Sequence, residues 1–315
     1  MDLETTDYHT AGEPFRIVTG GAPEIPGATV RERREHARRN EAVDALRRLL
    51  CHEPRGHADM YGCFLVPPDD EGADLGVLFW HKDGYSTACG HGTIALGVWA
   101  AETGLVDGEL TLDVPSGRVV ARRTADGVAF RNVPAYVLAR EVPVAPGVTV
   151  DLAYGGAIYA CVPAAAFGLG VRREDLTALI AAGREVKRAL EGSGAARHAS
   201  DDRLSGVYGT IFYEQLGDGH QRNVTVFADG EVDRSPCGSG TSARVALLDA
   251  DGRLDGDLVH ESIVGTTFRG RVVDRVTAEG RDAVITEVEG MAYRTGEHRF
   301  TLDPADPLGT GFVLR

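Results

Sequence analysis

Two stretches decide how this chain is read: residues 87–95, TACGHGTIA, and residues 235–243, SPCGSGTSA. They align without a gap and lie close to half of the 315-residue chain apart. Such an offset points to two similar lobes, each contributing one copy. In both copies Cys-Gly-x-Gly-Thr stands directly before an apolar, alanine-rich run, at 94–101 and again at 243–250. That is the pattern of a loop turning into a helix. Glycines let the backbone approach a ligand closely, and the first helical N–H groups have no intrahelical acceptor. Such a terminus attracts anions, and its partial positive charge is expected to lower the pKa of a cysteine seated there. One cysteine of this kind reads as a nucleophile. Two equivalent ones, Cys89 and Cys237, read as a symmetric acid–base pair in which one thiolate takes a proton while the other thiol gives one.

Other chemistry fits less well. Cys51, Cys63 and Cys161 are followed by no glycine-rich helix start and read as small buried hydrophobes, the ordinary fate of a free cysteine. Residues 237–242 could cradle a phosphate, but the lysine of a Walker loop is missing. Pyridoxal phosphate needs a Schiff-base lysine. The chain has two, Lys82 in a turn and Lys187 on a charged helix, and neither reads as desolvated. Among ten histidines there is no HExxH, because His52 and His57 are spaced one residue too far and separated by a proline, so no metal site is expected.

The 33 basic and 47 acidic residues leave a net charge of −14, which argues against a nucleic-acid footprint. A hydrophobic share of 43% with 25% charge is that of a globular chain, and the length suits two domains or one large one. No apolar run is long enough to span a membrane, and the start, MDLE, lacks the positive charge of a secretory signal. Five scattered cysteines without a CxxC pair fit reduced thiols, so a cytoplasmic location is expected. The basic run 31–39 reads as the solvated face of a helix.

Periodicity predicts strands at 14–18, 76–80, 208–213, 223–227, 263–273 and 283–288, and a hairpin of 109–114 with 118–123. It predicts helices over 29–50 and 173–190. Strands outnumber helices, so the class is mixed α/β. Phe79 and Trp80 read as core, and Tyr85, Ser86 and Thr87 as packing residues before the first cysteine.

With these motifs in order, the sequence resembles the proline racemase family, cofactor-independent enzymes that include proline racemases, hydroxyproline 2-epimerases and trans-3-hydroxyproline dehydratases. The resemblance runs through 7–14 (DYHTAGEP), 53–60 (EPRGHADM), 89–93 (CGHGT), Tyr154-Gly155-Gly156, 233–238 (DRSPCG) and the closing 303–312. It implies two pseudo-symmetric lobes of the diaminopimelate epimerase-like kind, each a curved sheet around a central helix, with the active site in the cleft between them. The expected divisions are 1–130, 131–290 and a closing segment 291–315 that returns to the first lobe. The family pattern makes Cys89 and Cys237 the bases at C2. Backbone amides of Gly90, His91, Gly238 and Ser239 would hold the substrate carboxylate, with Asp233 and the His91 side chain toward the ring nitrogen. Ser239 stands where threonine is common.

The leading expectation is therefore a C2 racemase or epimerase of proline or hydroxyproline. The alternative is trans-3-hydroxy-L-proline dehydratase, which residues 53–62 and 208–210 resemble; against it stands Cys237, where such dehydratases typically carry threonine. A binding protein on the same scaffold would need no thiols. Partners are expected to be a small-molecule substrate, with no nucleic acid and no membrane, and a homodimer is an open option. His57 and Asp59 either support the site or hold a loop, and His9 and Glu13 read as turn residues ahead of any supporting role.

Overall fold

The computed structural model describes residues 2–314. Its contacts divide the chain into two units, Met1–Val128 with Met291–Arg315, and Ala129–Gly290. Each unit is a strongly curved sheet on a buried helix, and both follow the same order of elements.

In the first unit the hairpin Asp2–Thr10 and Glu13–Gly20 turns through Ala11 and Gly12, both at positive φ. That conformation matches the twist of the flanking strands. The chain then crosses over through two helices, α1 (Val30–Arg39) and α2 (Glu41–Cys51), to Gly62–Val66, which pairs parallel with Glu13–Gly20. Leu75–His81 and Gly84–Tyr85 follow antiparallel. Next comes α3 (Gly90–Glu102), and then the hairpin Glu109–Val114 and Gly117–Arg123, whose first strand returns parallel to Leu75–His81. The last strand, Ala292–Thr301, pairs antiparallel with Asp2–Thr10, so the end of the chain completes the sheet begun by its start.

The second unit repeats the plan. Tyr136–Ala145 flanks Val148–Tyr154, which forms a hairpin with Ile158–Pro163. A crossover through α4 (Leu176–Leu190) leads to Val207–Gly217, parallel to Ile158–Pro163. His220–Phe227 and Glu231–Asp233 follow antiparallel, then α5 (Gly238–Ala250). Leu258–Ser262 pairs parallel with His220–Phe227, and Thr267–Ala278 with Arg281–Gly290 closes the sheet.

Apart from His91 and Arg244, the buried stretches of the central helices, Gly90 to Val98 of α3 and Gly238 to Leu248 of α5, are made of small or apolar residues. A helix of that composition has no solvent face to offer and belongs inside. The sheets wrap accordingly: α3 touches strands from Asp2–Thr10 to Ala292–Thr301, and α5 touches strands from Tyr136–Ala145 to Arg281–Gly290. In contrast, α2 and α4 are amphipathic. The α2 stripe of Val43, Leu46 and Leu50 joins Phe64, Leu78 and Trp80 in one core cluster.

Several sequence expectations need correction. The helix over 29–50 is two helices, because Asn40 takes an extended conformation and its Oδ1 accepts the amides of Ala42 and Val43, starting α2 afresh. The basic run is not wholly solvated. Arg34 is buried and donates to the Tyr85 carbonyl, and buried Arg33 donates to that of Pro67. Of the strand expected at 263–273, residues 267–273 lie in Thr267–Ala278, while 263–266 form the turn around Gly265 (φ +86°) that joins it to Leu258–Ser262. Residues 173–175 form a 3-10 turn ahead of α4. The strands Asp2–Thr10 and Ala292–Thr301 lie outside the predicted set, since their alternation is filled by Thr, Glu and Arg rather than by aliphatics.

Candidate active site

Cys89 is the N-cap of α3, in extended conformation (φ −154°, ψ 102°). Its Sγ accepts the Gly92 amide at 3.2 Å, the place an Asp or Ser side chain usually takes. Gly92 has to be glycine: a Cβ there would lie 2.4 Å from the Phe15 ring and 2.9 Å from the Cys89 sulfur. The amides of Gly90 and His91 occupy the first turn, where no intrahelical acceptor exists. Thr10 Oγ1 donates to the His91 carbonyl at 2.9 Å and ties this turn to the first strand.

The His91 ring lies with Nδ1 3.4 Å from Cys89 Sγ. It is buried edge-on against Phe15 and Tyr61, with centroids 5.7 and 4.8 Å away. Burial without a compensating anion pushes its pKa down to about 3, so the imidazole is neutral at pH 7. It can exchange a hydrogen bond with the sulfur but brings no positive charge to it. Tyr61 and Phe15 carried no sequence signal as neighbours of His91, being 30 and 76 positions away.

The second copy is built differently at its cysteine. Cys237 caps α5 with φ +64° and ψ 103°, left-handed backbone that costs a non-glycine residue about 1–3 kcal/mol. A relay of hydrogen bonds holds it there. Asp233 Oδ1 accepts both the amide and the hydroxyl of Ser235, at 2.8 and 2.7 Å, and Ser235 Oγ accepts the Cys237 amide at 3.1 Å. The Pro236 carbonyl accepts from Asn223 Nδ2 and Thr241 Oγ1. From the other side Gly155 packs so close that a Cβ would lie 2.4 Å from the Ser239 carbonyl, and Asn132 holds the Gly155 carbonyl at 2.8 Å. The family block at 154–156 is thus a packing surface for the start of α5.

Burial raises the Asp233 carboxyl to about 6, against the lowering effect of its Ser235 bonds, so it is mostly ionised at pH 7. The expectation of a lowered cysteine pKa fails at Cys237. Burial, and then the Asp233 charge, push that thiol up, outweighing the Tyr159 hydroxyl, the Gly240 amide and Thr225. A half-charge at a helix end does not offset removal from water plus a carboxylate. Tyr159 carries no sequence signal as a neighbour of this turn. Its hydroxyl lies 2.7 Å from Ser239 Oγ and 3.7 Å from Cys237 Sγ, contacts bridging 80 and 78 positions.

Within the first unit the structure brings together Cys89, Gly90 and His91; within the second, Asp233, Cys237, Gly238 and Ser239. Asp59 is buried, and exposed His57 accepts its amide. His9 accepts the Gly12 amide at 3.1 Å, as a turn residue does. Lys82 is buried beside Asp83 at 2.7 Å, contrary to its reading as a solvated turn lysine, and half-buried Lys187 donates to the Ala228 carbonyl. Cys51, Cys63 and Cys161 are all buried, with burial holding Cys161 up at about 11. Among the described residues no helix is long and apolar enough to cross a membrane.

Two doubled α/β units, each starting its central helix at a Cys-Gly-x-Gly-Thr turn, define a class of enzymes, and comparisons with known proteins agree on which. The profile described as proline racemase matches residues 5–313. A trans-3-hydroxy-L-proline dehydratase of Bacillus cereus is 45% identical, the alignment covering 98% of this chain and 97% of the relative. A 3-hydroxyproline 2-epimerase of Burkholderia multivorans is 46% identical over 99% of this chain and 98% of its own. The crystal structure of a hydroxyproline epimerase from Agrobacterium vitis, with bound trans-4-hydroxy-L-proline, superposes with a TM-score of 0.92 at 31% identity, covering 99% and 95% of the two chains. The chain belongs to the proline racemase family, and the two-lobed fold expected from the resemblance is the one observed.

Proposed function

We propose that the chain is a 3-hydroxyproline 2-epimerase that works without a cofactor through two cysteines, Cys89 and Cys237. The observation that carries the reading is that a thiol, rather than a hydroxyl, stands at the start of both central helices. Inversion at C2 requires one group to remove a proton and a second to return one on the other face. A thiol is a far stronger acid than a serine or threonine hydroxyl, so it can serve in either role where the hydroxyl cannot. The substrate class is supported by the Bacillus cereus and Burkholderia multivorans relatives, both named for 3-hydroxyproline.

The remaining residues take roles that their chemistry supports. The unpaired amides of Gly90, His91, Gly238 and Ser239 suit the substrate carboxylate, and keep their hold as charge spreads into it when the Cα–H bond breaks. Ionised Asp233 is the counter-charge for the ring ammonium. Neutral His91 holds the Cys89 sulfur by a hydrogen bond while leaving the proton count to the two thiols.

Dehydration is the second reading, favoured by the likeness to the Bacillus cereus dehydratase. It needs a single base: the C2 proton leaves, the electron pair forms the C2–C3 double bond, and the 3-hydroxyl departs as water on protonation, giving after tautomerisation a cyclic ketimine. Incubation of L-proline and the 3- and 4-hydroxyproline isomers in deuterated water separates the readings. Deuterium at C2 with inversion of a 3-hydroxyproline is expected. Ketimine without inversion would replace the proposal by the dehydratase reading, and turnover of none of them would leave a binding protein.

A further inference from the structure

The reading above asks Cys237 to be an acid in one direction and a base in the other, at a buried position. We propose that Tyr159 and Ser239 form a reversible pair of hydroxyls that turns with the protonation state of Cys237, so that both thiol and thiolate keep a partner. This inference rests on Cys237 exchanging protons with C2 and names the groups that make that exchange two-way.

The geometry supplies the chain. With the thiol protonated, its S–H points to the Tyr159 oxygen, 3.7 Å away. The Tyr159 hydroxyl then donates to Ser239 Oγ at 2.7 Å. A hydroxyl is one donor and an acceptor at once, so the same three atoms have a second arrangement. When the S–H proton passes to the C2 carbanion, Ser239 O–H donates to the Tyr159 oxygen and Tyr159 O–H donates to the sulfur. No proton crosses between the two hydroxyls; each only rotates. All three residues are buried at 5% exposure or less, where an unmet donor or a bare thiolate is costly.

Other groups also face the sulfur. Asp233, on the strand before the loop, presses its negative charge on Cys237, which opposes the thiolate, and its carboxyl also accepts a hydrogen bond from the thiol. Arg234 acts on Asp233 rather than on the sulfur. Thr225, from His220–Phe227, and the Gly240 amide also favour the thiolate; the amide is a fixed donor that cannot accept from the thiol, whereas the Thr225 hydroxyl can do both. Tyr159 is held in place by its ring, edge-on to Tyr208 at 5.8 Å and within the cluster of Ile211, Ala243 and Leu247. It is a positioning residue acting through Cys237.

The two hydroxyls make opposite demands, which gives the test. The full chain is treated with iodoacetamide across a pH series, and modification of Cys237 is followed by peptide mass spectrometry with Cys89 as internal reference. Tyr159→Phe removes the donor to the thiolate, so the Cys237 midpoint rises by about one pH unit and its rate at pH 8 falls about tenfold. Ser239→Ala leaves Tyr159 with the sulfur as its acceptor, so the thiolate is favoured and the midpoint falls. Opposite shifts with Cys89 unmoved establish the pair; shifts of the same sign, or none, overturn it. If one variant fails to fold, the sign of the other still decides. The readout uses no substrate. Opposite shifts in a protein that inverts no hydroxyproline would sink the epimerase reading alone, and inversion without the shifts would sink the hydroxyl pair alone.

Discussion

At the scale of single residues, the two cysteines share a motif but not an environment. Cys89 is an unstrained N-cap beside a neutral imidazole, while Cys237 is held at positive φ by the Asp233–Ser235 relay. Neither is replaceable by the other. Cys89→Ser and Cys237→Ser are each expected to cut inversion by about 10²–10⁴-fold, the usual worth of a positioned acid or base, and chiral chromatography of the product checks it. Cys237→Thr should lose inversion of every substrate yet still dehydrate one trans-3-hydroxyproline enantiomer, read with a ketimine-reducing coupled assay; persistent inversion would mean that another group supplies the second proton. Asp233 sets an acid limb. Its carboxyl titrates near 6, and the protonated form lacks the charge that meets the ring ammonium. As pH falls through about 6, kcat/KM should drop, and Asp233→Asn should lower kcat/KM at pH 7 and abolish that limb.

At the scale of elements, the starts of α3 and α5 must come very close to their surroundings, and glycine permits it. Gly92→Ala would drive a methyl into the Phe15 ring, and Gly240→Ala would place one 2.8 Å from the Cys237 sulfur. Each should cost about 1–3 kcal/mol as overpacking does, with a larger fall in activity because the cysteine moves with the helix end. Asn40→Ala is the contrast. It removes the α2 cap and should cost about 1 kcal/mol in urea unfolding, with kcat unchanged, since α2 carries none of the proposed site residues.

At the scale of the whole molecule, a planar ring acid should act as the flattened C2 of the transition state does. Pyrrole-2-carboxylate is expected to inhibit competitively. At a hundred times its dissociation constant it should stabilise the full chain by about 2.7 kcal/mol, visible as a raised melting temperature. A compound that raises the melting temperature without competing with substrate would bind elsewhere and count against the proposed site.

What was legible in the sequence was local. The paired Cys-Gly-x-Gly-Thr turns, the helices behind them and the hairpin at 109–123 follow from a few neighbouring residues, because glycine spacing and alternation act over one turn or one strand. The split of 29–50 at Asn40 was local too, but helical periodicity on both sides masked the cap. The strand Ala292–Thr301 lay beyond local reading, since its pairing with Asp2–Thr10 joins opposite ends of the chain and leaves no apolar alternation to betray it. The same holds for Tyr159, which meets Ser239 and Cys237 only once a strand 80 positions away folds beside α5. Above all, ionisation was decided by tertiary structure. The residue types at 91, 233 and 237 promise an imidazole, a carboxylate and a thiol, but their pKa values depend on how completely folding strips water from them and what it leaves beside them. Burial moved His91 down and Asp233 and Cys237 up, reversing the shift that the helix terminus alone suggests for the thiol.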